Sequence, residues 1–320
     1  MDSSSLPLVS IVFTSYNHQE FLEQALSSLI SQTYANTEII IIDDCSTDGS
    51  QEILKRYKQY PNIYVNLSAK NSGSYVKASN LGASFAKGDY LLFAQCDDFA
   101  EPDQIEKLMK PLLAYENVGV SFCRSNMIDE NGKILGTDFD LRESSFKYTF
   151  SSDAKASGKQ MRIFLSKSCV IPNLSAAIVR KKYYETAGRL SEDYLVAADW
   201  AFWLALSELC DFFYNTKTLN NFRQHKSTIR STVKIKKQVL EIYHIFYKHI
   251  KKHNIKGKDK DSFRVGAGAI FLSYFSLGKI SWMKSSLHII IETYKIDKLN
   301  AWYISRGLLH KISELIKRKS

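Results

Sequence analysis

From the start of the chain to about residue 125, short unbroken apolar runs alternate with stretches whose apolar positions recur every three or four residues. The pattern predicts strands over 8–14, 37–43, 62–67, 89–95 and 118–124, and helices over 19–32, 49–59, 75–87 and 102–115. Such alternation predicts a largely parallel sheet with helices on both faces. The run Ile39-Ile40-Ile41-Ile42 suits a central strand buried on both sides. Ser46-Thr47-Asp48 can cap the second helix, and Glu101-Pro102-Asp103 opens the fourth with proline in its first turn.

Beyond Ser125 the pattern loosens. A turn is expected at residues 129–132, and the polar stretch from Ser144 to Ser157 predicts a mobile loop over a site. A second organised block runs from Ser175 to Phe222 and contains an aromatic helix beginning Asp199-Trp200-Ala201-Phe202-Trp203. From Lys226 onward the chain is rich in Lys, Tyr, Phe and Ile and is expected to be helical, with Val265–Leu277 and Ser281–Tyr294 pairing as a hairpin.

Composition narrows the partners. With 320 residues and 45% hydrophobic content the chain can bury a sizeable core. Its net charge of +10 is uneven: from Lys226 to Ser320 there are 21 basic residues against 6 acidic ones, so the preceding part is acidic on balance. No zinc-finger spacing or aromatic ribonucleoprotein motif accompanies the basic stretch, which argues against nucleic acid as a partner. Five dispersed cysteines without a CxxC pair fit reduced thiols rather than disulfides or structural zinc. The opening Met1-Asp2-Ser3-Ser4-Ser5 lacks the pattern of a secretion signal, and no apolar run approaches spanning length. The expectation is a protein that is neither secreted nor membrane-spanning.

Three predicted strands deliver polar groups at one edge. Thr14-Ser15-Tyr16-Asn17 closes the first, Asp43-Asp44 the second and Asp97-Asp98 the fourth. In an open α/β sheet the ligand crevice lies outside the carboxyl ends of the strands. Neither a GxGxxG turn nor a GxxxxGK[ST] loop is present to cradle phosphates, so a metal is expected to neutralise them. Asp97 and Asp98 are hard oxygen donors suited to Mg²⁺ or Mn²⁺, although the pair can also be a helix cap before Pro102. A carboxylate at Asp44 can accept the imide hydrogen of a pyrimidine base.

The runs VSIVFTSYNHQEFLEQALSSLISQTYANTEIIIIDDCSTDGS and NSGSYVKASNLGASFAKGDYLLFAQCDD resemble the inverting glycosyltransferases of family 2, over roughly residues 6 to 225. The resemblance implies the GT-A fold, a Rossmann-like α/β architecture with a mostly parallel sheet, here with a C-terminal helical extension. It implies a catalytic domain over 1–225, with a nucleotide-binding half (1–125) and an acceptor half (126–225), followed by a basic helical region over 226–320. By the same resemblance Thr14 and Tyr16 line the base pocket, Asp44 pairs with a uracil-type base, Asn71, Gly73 and Lys77 lie along the nucleotide, Asp97 lies near ribose and metal, and Asp98 binds the divalent ion. His225 and Arg223 fall where relatives return a side chain to the metal and the diphosphate. Asp199 matches the catalytic base, and its helix-start position favours a negative charge; Glu192 and Asp193 are weaker candidates.

Trp200 is a candidate for stacking on an acceptor sugar, and Trp203 for the core. Each of these residues also has a plain structural reading: a cap for Asp199, a buried imidazole for His225, a turn for Asn71. Cys45, Gln95 and Ala198 depart from the family pattern, standing where Gly, Asp and Glu are common.

The implied activity is metal-dependent transfer of a sugar from a nucleotide diphosphate, with UDP the expected carrier, to a hydroxyl of a surface glycan or lipid-linked saccharide. The basic amphipathic segment 308–319 suggests peripheral binding to an anionic membrane at its cytoplasmic face. Two rivals stay open. One is a noncatalytic membrane-surface scaffold that keeps the fold. The other is a sugar nucleotidyltransferase, which would want a Gly-rich first loop with a basic residue.

Overall fold

Strand and helix alternate through the first third of the chain: β1 (Val9–Ser15), α1 (Gln19–Ile30), β2 (Thr37–Asp43), α2 (Ser50–Lys55), β3 (Ile63–Leu67), α3 (Tyr75–Phe85) and β4 (Tyr90–Gln95). These strands pair in parallel in the order β3-β2-β1-β4. Successive side chains on a strand face opposite ways. Ile11, Phe13, Ile39 and Ile41 accordingly pack in one core with Leu22 and Leu26 of α1, while Val12, Ile40 and Ile42 pack in a second core with Val76 and Ala78 of α3. Burial on both sides is what the unbroken isoleucine run requires. The computed structural model describes residues 6–141, 144–171, 173–225, 233–276 and 284–317.

A two-residue strand, β5 (Phe99–Ala100), precedes α4 (Gln104–Ala114), whose start falls two residues beyond Pro102. The chain continues through β6 (Val118–Ile128), β7 (Ile134–Thr137), α5 (Asp138–Leu141), α6 (Ser144–Thr149), β8 (Ala154–Ala156), α7 (Gly158–Leu165), β9 (Ala177–Arg180), α8 (Lys181–Ala187), α9 (Ala198–Leu206) and β10 (Asp211–Arg223). Beyond β4 the sheet is mixed rather than parallel. β9 inserts antiparallel between β4 and β6, and β10 lies parallel to β6 but antiparallel to β5 and β8.

The stretch expected as a mobile loop over 144–157 is folded instead. Phe146 on α6 and Phe150 just past its end are buried, and both rings pack on Phe164 and Tyr214. Two aromatic anchors outweigh the polar residues around them.

The C-terminal helices are α10 (Ile235–Lys252), α11 (Gly257–Ser276), α12 (Lys284–Ile296) and α13 (Asn300–Lys317). Among the described residues the expected pairing of 265–277 with 281–294 is not a main contact: α11 packs on α13, while α10 packs against α11 and α12. Residues 277 and 281–283 of that hairpin lie outside the described residues. Gly268 abuts the Tyr303 backbone and Gly307 abuts Ala269, leaving no room for a Cβ at either crossing point. Val239, Ile242, Tyr243 and Phe246 of α10 share one core with Phe202 and Trp203 of α9. Position 225 therefore marks a change in composition, not a break between cores.

Candidate active site

The carboxyl ends of β1, β2 and β4 are tied together before any ligand chemistry is considered. Asn17, in the left-handed region at φ 51°, accepts the Thr47 amide on its Oδ1 (2.7 Å) and donates its own amide to Ser46 Oγ (2.9 Å). Asp43 accepts from the Ser46 amide (2.9 Å) and hydroxyl (2.5 Å), and Asp48 accepts the Gln19 and Ser50 amides. Asp48 is thus a turn residue. Cys45 holds φ 65°, a conformation that favours glycine, which explains the residue type expected there.

The nucleotide candidates gather along this edge. Thr14 is buried and donates to Gln95 Oε1 (3.2 Å), so Gln95 is engaged with the first strand. Tyr16 is 44% exposed just beyond β1. Asp44 is buried, and its carboxylate accepts the Ser72 amide (2.8 Å) and hydroxyl (2.9 Å). Asn71 Oδ1 accepts the amide of Gly73, which sits at φ 71°, and Ser74 caps α3 through the Val76 amide. Lys77 is exposed in the first turn of α3. Ser72 had no motif to announce it; it is found only through Asp44.

The adjacent acids part company. Both lie in the connection between β4 and β5, where the chain turns; β5 pairs antiparallel with β10, Phe99 opposite Asn221, which brings Arg223 and His225 beside the two acids. Asp97 Oδ2 meets His225 Nε2 at 2.9 Å, and His18, Asp97 and His225 offer ligand atoms within 4.8 Å of one another. The two imidazoles meet edge to face with centroids 4.9 Å apart, and His18 Nδ1 lies 3.6 Å from Cys96 Sγ. Burial pushes the Cys96 thiol up, aided by the Asp97 charge, so the sulfur is protonated.

Asp98 is turned inward, contrary to its expected role as metal ligand. Its carboxylate accepts the Ser175 hydroxyl (2.6 Å) and the Arg223 amide (3.1 Å). Burial and the Asp97 charge push it well above the usual carboxylate range. Arg223 is likewise not available as a diphosphate contact. Its guanidinium donates to the carbonyls of Asp97, Asp129 and Glu130 and to Gln24 Oε1, and lies 4.3 Å over the Phe21 ring. Burial lowers its pKa against the pull of both aspartates.

The donor set, one carboxylate and two imidazoles, fits a divalent transition ion better than Mg²⁺, which prefers all-oxygen ligands. His18, at the entry to α1, was missed by sequence reasoning; its signal was only its place directly after the polar group that closes β1.

Asp199 lies in the first turn of α9, 7% exposed, its Oδ1 accepting the Trp200 amide (2.7 Å). Ala198 beside it is fully buried, so a glutamate there would place a carboxylate in the core. Trp200, expected as an acceptor platform, is instead a packing residue: its indole donates to the Leu165 carbonyl (2.8 Å) and meets Phe246 edge-on at 5.3 Å. Trp203 is fully buried, as expected. Glu192 is exposed, and Asp193 is paired with Lys248 at 2.9 Å. A cavity of about 470 Å³ opens between residues 187–194, α9 and α10, apart from the nucleotide candidates.

The profile of glycosyl transferase family 2 matches residues 10–181, more than half of the chain. The chain belongs to glycosyl transferase family 2. Among its relatives, the glycosyltransferase GlyG of Streptococcus pneumoniae is 30% identical over 151 residues, 46% of this chain and 50% of GlyG. The chondroitin synthase of Pasteurella multocida is 30% identical over 141 residues, 44% of this chain but 14% of the synthase. The chain thus spans half or less of these relatives' length. In architecture it resembles the crystal structure of S. aureus TarS 1–349 in complex with UDP-GlcNAc, with a TM-score of 0.68 at 16% identity, covering 94% of this chain and 88% of that one. This likeness shows the GT-A-type fold with its C-terminal helices.

Proposed function

We propose that the chain transfers a sugar, with inversion, from a UDP-type nucleotide-sugar to a hydroxyl of a surface glycan or lipid-linked saccharide in bacterial polysaccharide synthesis. The observation that carries the reading is the His18–Asp97–His225 cluster, standing at the same sheet edge as Asp44, Tyr16 and Asn71. Family membership supports sugar transfer, and the TarS complexes with UDP and UDP-GlcNAc support the donor class.

In this reading Asp44 accepts the imide N–H of the base, Thr14, Tyr16 and Asn71 surround it, and Lys77 faces the diphosphate. Asp97, His225 and His18 would hold Mn²⁺, which supplies positive charge against the departing diphosphate. Asp199 takes the proton of the acceptor hydroxyl while its oxygen attacks the anomeric carbon from the face opposite the leaving group. The bond from that carbon to the phosphate oxygen breaks, its electrons leave with the diphosphate, and the configuration inverts.

The reading extends to the cytoplasmic membrane face, where a lipid-linked acceptor would lie. Tyr294, Trp302 and Leu309 are half or more exposed, and Trp302, Arg306 and Leu309 recur at helical spacing along α13. Among the described residues no helix is long and apolar enough to cross a membrane. The side chains from 311 on, which complete the amphipathic segment, lie outside the described residues.

Calorimetric titration of UDP, dTDP and GDP, each with Mn²⁺ and again with chelator, tests the donor site. Micromolar-range UDP binding that disappears with chelator is expected. Binding of none of the three would favour the scaffold reading, and binding indifferent to chelator would remove the metal.

A further inference from the structure

Glu241 lies on α10, in the basic C-terminal region, and is 6% exposed. A buried carboxylate is costly unless it is hydrogen-bonded. Its partners are three consecutive backbone amides of the segment that leads into α9. Val196 donates to Oε2 at 2.8 Å, Ala197 to Oε2 at 3.2 Å, and Leu195 to both oxygens at 3.2 Å. Ala197 is the cap position of α9 and has no side chain able to cap it. The first amides of a helix need acceptors, and three successive N–H groups form an anion-binding concavity. Here the anion is a glutamate supplied by a helix some forty residues later. Asp199 follows two residues after the last of the three amides.

Two further contacts from α10 hold the same turn. Lys248 pairs with Asp193 at 2.9 Å, and Phe246 meets Trp200 edge-on. Trp200 is the residue whose amide bonds the Asp199 carboxylate. Contacts from α10 therefore bracket Asp199 on both sides along the chain, and Glu241 is the member whose hydrogen bonds set the backbone itself.

We propose that Glu241 is a positioning residue for the catalytic base: it fixes the 195–197 backbone and thereby the direction of the Asp199 carboxylate. The C-terminal region thus completes the reaction centre. This rests on the assignment of Asp199 as base, but one of its consequences does not.

Hydrogen-exchange mass spectrometry of the full chain addresses that consequence. Segment 195–197 should exchange slowly in the native protein and about tenfold or more faster in Glu241→Gln, whatever donor the protein uses. Release of UDP from UDP-GlcNAc addresses the rest: Glu241→Gln should lower kcat about 10- to 100-fold with the donor KM unchanged, because the donor site lies on other elements. Asp199→Asn should abolish turnover, and adding Glu241→Gln to it should cost nothing more, since both changes act through one group.

If Asp199→Asn retains turnover, or UDP-GlcNAc is not turned over at all, the base or donor assignment fails while exchange still judges the Glu241 clasp. If Asp199→Asn is dead but Glu241→Gln keeps full kcat, or if its 195–197 amides stay slow, the proposal is overturned. Should Glu241→Gln fail to fold, Glu241→Asp, which keeps the charge and withdraws it by one methylene, carries the same comparison.

Discussion

Asp97 and Asp98 occupy adjacent positions in very different surroundings. Asp97 shares a cluster with His18 and His225, while Asp98 is enclosed by Ser175 and the Arg223 backbone. Substitutions at the two positions should separate. Asp97→Asn and His225→Ala should each abolish the metal-dependent part of UDP binding and leave the unfolding midpoint nearly unchanged. Asp98→Asn should keep the metal dependence but lower the unfolding free energy by about 1–3 kcal/mol, because one of its two buried hydrogen-bond donors then meets an amide NH2 instead of an acceptor. Calorimetry and urea denaturation on the same three variants check both halves. Cys45, flagged in the sequence as a departure from glycine, carries its own cost: a non-glycine residue in the left-handed region is about 1–2 kcal/mol worse off than in the right-handed one.

At the level of elements, one ionic joint holds α7, α9 and α10 together. Glu208, just past α9, accepts from Arg162 of α7 (2.8 Å) and pairs with His249 of α10 (3.1 Å), with His253 4.0 Å away; Arg162 also reaches Asp259 of α11. Burial alone would raise the Glu208 pKa, but hydrogen bonds and charge from His249 and Arg162 outweigh it and hold it at about 2. A carboxyl lowered in the fold stabilises above its unfolded value of 4.5 and loses that contribution as pH falls toward about 2. Thermal midpoints of Glu208→Gln should therefore lie below those of the native protein at neutral pH and converge with them on acidification through that window.

The strands and their polar exits were legible in the sequence because buried parallel strands read as continuous apolar runs. β9 was not, because four residues carry no period, and its antiparallel insertion follows from pairing with β4 and β6. Nor was the orientation of Asp97 against Asp98, which depends on the turn between β4 and β5 and on the return of β10 beside it. Trp200 and Trp203 share one helix, and only the packing around them shows that both serve the core, each indole donating to a backbone carbonyl, of Leu165 and of Ile171.

For the whole molecule, charge and fold divide differently. The net positive charge lies beyond position 225, yet residues on both sides of that point share one core. A truncation there would strip Val239, Tyr243 and Phe246 from the core, so membrane association is better tested on the surface. Flotation with vesicles containing anionic lipid should be lost in Trp302→Glu/Leu309→Glu, while UDP binding persists; undiminished flotation would place the membrane contact elsewhere. The shared core also imposes an order on synthesis. All strands that carry the candidate nucleotide residues leave the ribosome before α10 does, so on the proposed assignments a nascent chain would own a donor pocket before it owned a working base, and an unfinished polypeptide would be kept from squandering activated sugar.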